Sequence, residues 1–217
     1  MIYETGQVSV NSGSGNSWAT ALYNFISQYY NKLTVSDNTL NFDNKFTISF
    51  SVANGRPNIT LVRNDGTETY LGDMGYWANA AQMANLTLII TDDVFYIKIL
   101  RPTTSEGHGA FSWLMSGDTN FVGVSNAGNP TIETTYYNAE DSLKGEYTLG
   151  KVANYAVMPL KIVYSKLCPI VQTTGGEVLP INGLVSCSTI SIYSSITFGG
   201  HTYYAIGTNT LIPLTSD

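Results

Sequence analysis

The sequence predicts a mainly β protein, an antiparallel sandwich or barrel-like set of sheets, with one N-terminal amphipathic helix packed on a sheet. Three observations carry this. From residue 34 onward the apolar residues recur with a period of two, the spacing that puts alternate side chains on one face of a strand. Turn-forming residues punctuate the chain at Asn64-Asp65-Gly66, Asp92-Asp93 and Gly199-Gly200. A single segment, 17–33, carries a helical period instead.

Residues 2–10 (IYETGQVSV) read as a first extended segment, followed by a flexible polar turn over 11–16. Asn16 or Ser17 is placed to cap a helix, because its side-chain oxygen can accept an orphan backbone N–H. In 17–33, Trp18, Leu22, Phe25, Ile26, Tyr29 and Leu33 form one apolar stripe suited to lie across a sheet. Residues 45–52 alternate Phe46, Ile48, Phe50 and Val52 against Lys45, Thr47, Ser49 and Ser51, a strand with one wet face. Residues 59–63 and 67–71 flank Asn64-Asp65-Gly66 as a hairpin, and 86–91 and 94–100 flank Asp92-Asp93 as another. A short helix is expected between them, over 74–85.

Glycine and proline break 101–130 into short pieces, with strands at 111–115 and 120–124. A Tyr-bearing strand follows at 131–137, then longer apolar strands at 155–164 and 184–197. Gly199-Gly200 closes a last hairpin, and Leu211-Ile212-Pro213-Leu214 keeps the tail apolar. The expected organisation is a helix-plus-β-sheet region over 1–100 and a β-rich region over 101–217, with the seam in 101–110; one continuous domain fits equally. Cys168 and Cys187 sit in apolar strand-like runs, as buried thiols or as a bridge between neighbouring strands.

The bulk composition narrows the function. At 217 residues the chain can bury a core without staples. Mean hydropathy is near zero, and no apolar run reaches the ~18 residues of a membrane span. The net charge of -6 disfavours nucleic acid, since an acidic surface repels phosphates. Charged residues make up 12%, about half the usual ~25%, with Tyr, Gly, Asn, Ser and Thr in their place. That is the composition of a protein that works outside a cell, yet Met1-Ile2-Tyr3-Glu4-Thr5 opens no signal peptide. The combination points to a piece of a particle.

Little in the sequence marks chemistry. His108 and His201 are far apart, neither lies in a ligand-spaced motif, and no metal or cofactor is expected. Ser105-Glu106-Gly107-His108-Gly109 gathers Ser, Glu and His, but neighbours in a Gly-rich loop rarely converge, and no catalytic residue is assigned. Asn58-Ile59-Thr60 and Asn85-Leu86-Thr87 match the glycan-acceptor triplet and are read as incidental. What remains is aromatic surface. Tyrosine buries much area with few rotamers, so Tyr76, Trp77, Tyr136 and Tyr203, together with His108 and Trp113 in the loop 103–113, are the candidate interaction residues.

The early helix, the Asn/Tyr/Thr-rich β chain and the closing segment I-T-F-G-G-H-T-Y-Y-A-I-G followed by L-I-P-L resemble structural proteins of tailed bacteriophages and prophages. The resemblance is to the class, is carried chiefly by residues 190–214, and transfers no functional residue. It implies a non-enzymatic virion component of tail, baseplate, collar or head, made in the host cytoplasm and partnered by its own copies and other virion proteins. Residues 1–10 and 208–217 are candidate arms that add a strand to a neighbour's sheet. A receptor- or carbohydrate-binding module, taking a host surface glycan, is the alternative; a glycan hydrolase is the remote one.

Overall fold

The computed structural model describes residues 1–43, 46–63, 68–74, 77, 81–101, 110–116, 121–125, 135–138, 167–172, 178–180, 183–186, 193–198, 200–207 and 210–215. The protein is mainly β, and every strand pairing among these residues is antiparallel.

The chain opens with β1 (Ile2–Asn11) and α1 (Gly15–Ile26), the one helix among the described residues. A five-stranded meander follows: β2 (Leu33–Ser36), β3 (Thr39–Phe42), β4 (Phe46–Ala53), β5 (Arg56–Arg63) and β6 (Glu68–Asp73), hydrogen-bonded in chain order. Next come β7 (Ala81–Ile90), β8 (Val94–Leu100), β9 (Ala110–Ser116) and β10 (Phe121–Ser125). With β1 they form the central sheet, in the order β1-β7-β8-β9-β10. β11 (Thr135–Asn138), β12 (Leu167–Gln172) and β13 (Val178–Pro180) make a small third sheet. The fourth holds β14 (Val185–Ser186), β15 (Ser195–Phe198), β16 (His201–Ala205) and β17 (Thr210–Pro213), in the order β14-β17-β16-β15.

Around β8 and the adjoining half of β7 the central sheet is buried on both faces, which explains the unbroken apolar runs there. Phe95, Ile97 and Ile99 of β8, with Ala84, Leu86 and Leu88 of β7, join Trp18, Leu22 and Ile26 of α1 and Leu40, Phe42, Ile48, Phe50 and Ile59 of the meander in one core. The intervening residues Val94, Tyr96 and Ile89 point the other way, into a second core with Tyr204, Ile206, Ile212 and Leu214. Lys98 falls on this second side in the alternation; it is buried and lies 4.2 Å from the centroid of the Tyr193 ring. The β8–β9 pairing runs across 101–110, so the central sheet draws strands from both sides of the expected seam.

Several expectations need correction. The helix stops at Ile26 rather than at residue 33. Tyr29 and Tyr30 both donate their N–H to the Ile26 carbonyl, and Leu33 begins β2. The apolar stripe seemed longer because Leu33, on a strand, enters the same core as the helix. The cap is Ser14, whose Oγ accepts from the Ser17 N–H at 3.3 Å; Ser17 Oγ instead accepts from the Asn11 N–H at 2.7 Å. The helix expected over 74–85 is overridden at 81–85, where β7 pairs with β1 along its full length. Within the expected strand 184–197, Tyr193 takes a positive φ of 57°, and the described ends, β14 and β15, lie at opposite edges of their sheet. Both candidate arms hold strands of the chain's own sheets: β1 pairs throughout with β7, while β17 lies between β14 and β16 with Leu211, Ile212 and Leu214 buried.

The Asp92-Asp93 hairpin and the closing hairpin form in the expected places. Asn54-Gly55 is a further turn signal in the sequence: both residues have positive φ (52° and 71°), as a tight two-residue turn between β4 and β5 requires. Residues 155–164 and Cys187 lie outside the described residues, so the long strand and the fate of the cysteines do too; Cys168 lies in β12, opposite Tyr137.

Candidate functional site: the outer edge of the central sheet

The aromatic candidates do not assemble into a surface. Trp77 is fully buried: its ring meets Trp18 edge to face at 4.8 Å, and its Nε1 donates to the Met74 carbonyl at 3.0 Å. Its backbone ties two distant pieces together, the N–H donating to the Gly55 carbonyl and the carbonyl accepting from Ser12 Oγ. Tyr203 is buried at 5% exposure. Both are buried within this chain. Trp113 lies in β9 opposite Ile97 and Val124, and Tyr136 in β11 opposite Pro169, as backbone positions only. His108 and Tyr76 lie outside the described residues. Among the described residues no three His, Cys, Asp or Glu side chains gather as a metal group, and no helix is long and apolar enough to cross a membrane.

The site that the fold builds is β1. It is the first strand of the central sheet, with β7 as its one strand neighbour among the described residues. The register runs unbroken from Ile2↔Ile90 to Asn11↔Ala81. Asn11 fixes which backbone groups face away from β7. Its N–H donates to Ser17 Oγ, and its carbonyl accepts from the Ser14 N–H, both on the helix side. Antiparallel pairs alternate between bonded and non-bonded. Stepping back by twos, Ser9, Gln7, Thr5 and Tyr3 therefore turn N–H and C=O outward from the sheet, and all four are exposed.

An open groove of about 400 Å³ lies along α1, lined by Ser14, Asn16, Ser17, Thr20, Ala21 and Asn24, and reaches β1 at Ser9. Its lining is uncharged. Thr20 Oγ1 donates to Asn16 Oδ1 at 3.0 Å, which holds both side chains over the first helical turn. Helix and strand are held close because Gly6 has no side chain: the Phe25 ring fills that space, 2.5 Å from where a β-carbon would stand. Protective edges carry Lys, Pro or a bulge, and β1 carries none of these; Glu4 is its single charge.

The sequence offered one sign of this edge. In IYETGQVSV the residues Ile2, Gly6, Val8 and Val10 alternate with Tyr3, Thr5, Gln7 and Ser9, the pattern of a half-covered strand. No family model matches the chain, and neither a curated protein nor a solved structure matches it.

Proposed function

We propose that this chain is a non-enzymatic structural subunit that works by protein–protein assembly, and that the outer edge of β1 is where it docks. One observation carries the reading: a ten-residue strand, with β7 as its one strand neighbour among the described residues, turns four sets of backbone donors and acceptors outward, free of Lys, Pro and bulge, beside a groove that reaches it at Ser9. Such an edge gains affinity from main-chain hydrogen bonds when another strand is added to it. The finer assignment, a tail, baseplate, collar or head-decoration component of a phage virion made in the host cytoplasm, rests on the class resemblance of the sequence. The receptor- or glycan-binding alternative looks to the loop 103–113, where Trp113 is placed in β9 as a backbone position and His108 lies outside the described residues.

The test is fractionation of particles from cells that make the chain, with quantitative mass spectrometry of the particle band. A fixed stoichiometry to the other particle proteins supports the reading. A chain absent from particles, monomeric when purified and active on a cell-wall or capsule glycan overturns it.

A further inference from the structure

We infer that β1 is built to pair with β1 of a second copy about a two-fold axis at Gly6, joining two central sheets into one. The inference rests on the assembly reading and names the partner of that edge. The outward residues Tyr3, Thr5, Gln7 and Ser9 are symmetric about position 6. An antiparallel pair centred there sets Tyr3 against the partner's Ser9 and Thr5 against the partner's Gln7, and the reverse. Each outward N–H and C=O then meets a group that is itself outward, so every such pair exchanges both bonds. The match ends at Asn11, whose outward groups are already held by Ser14 and Ser17. A two-fold contact must be self-complementary in this way, residue i on j and j on i.

Charge and space agree. The single charge on the strand, Glu4, falls opposite the partner's Val8, not opposite the partner's Glu4. The two carboxylates are offset by four residues, on the order of 13 Å, beyond the ~8 Å screening length at physiological salt. Gly6 itself adds no side chain at the axis; the ring over it is Phe25 of its own copy. Exposed Tyr3 and Met83 lie on the opposite face, where Ser9 is registered with Met83, so the partner's Tyr3 arrives beside both.

The experiment is sedimentation of the full chain over a concentration series, with Thr5→Pro, Thr5→Ala and the double variant Thr5→Cys/Gln7→Cys. Thr5 turns its N–H away from β7, so proline there removes an intermolecular donor without removing a bond to β7. Circular dichroism checks that it folds. A reversible dimer that Thr5→Ala keeps, that Thr5→Pro weakens at least about tenfold (~1.4 kcal/mol), and that the double variant locks on oxidation through a link from position 5 to position 7 of the other chain supports the pairing. A dimer that survives Thr5→Pro, or is never locked by that link, overturns it and leaves assembly through another surface. A chain that is monomeric throughout also overturns it, and the assembly reading then stands or falls on the particle fractionation.

Discussion

Gly6 and Phe25 share one space: the ring of the helix residue occupies the volume that a side chain on the strand residue would need. The contact sets how near α1 lies to β1, and hence the shape of the groove beside the edge. Alanine normally improves a strand position held by glycine. Here the clash reverses that, and Gly6→Ala should cost about 1–3 kcal/mol, as overpacking does. Urea unfolding measures it. Phe25→Leu in the same chain should recover part of the loss, which a strand-propensity effect alone would not allow.

Ser14→Ala removes the hydroxyl that accepts the Ser17 N–H. No acidic residue stands in the first turn of α1 to take its place. The expected loss is about 1 kcal/mol. A melting temperature within error of the parent would show that the Ser17 and Asn16 side chains hold the turn without it.

Trp77 is the largest test of the first core. Trp77→Ala should cost about 3–5 kcal/mol, from the lost burial against Trp18 and the cavity left behind. Trp77→Phe keeps an aromatic ring but drops the Nε1–H bond to the Met74 carbonyl, and should cost less than the alanine change. Equal losses for the two in denaturant titration would place the energy in the hydrogen bond instead of the packing.

Tyr96 links stability to alkaline pH. Burial, and then the neighbouring Tyr204 and Tyr193, push its phenol well above the usual ~10. The folded chain therefore holds this proton more tightly than the unfolded chain. Its contribution is fully present below pH ~10 and is lost as pH rises beyond that, by up to ~1.4 kcal/mol per pH unit. Unfolding curves between neutral pH and pH ~11 should fall more steeply for the parent than for Tyr96→Phe. Parallel curves would contradict the shift.

The sequence determined much of this protein by itself. The apolar runs 86–91 and 94–100, broken at Asp92-Asp93, yield the hairpin of β7 and β8, and the apolar stripe Trp18, Leu22, Phe25 and Ile26 yields α1 and its buried face. These were legible because a repeat along the chain records which side chains share a face. The repeat does not record what covers that face or what lies beside the strand. Only the tertiary structure decided that the helix ends at Ile26, that Trp77 and Tyr203 are inside, and that residues 81–85 pair with β1 instead of coiling. It alone placed β1 first in the central sheet, with β7 as its one strand neighbour among the described residues, since strands far apart in sequence decide where neighbours stand.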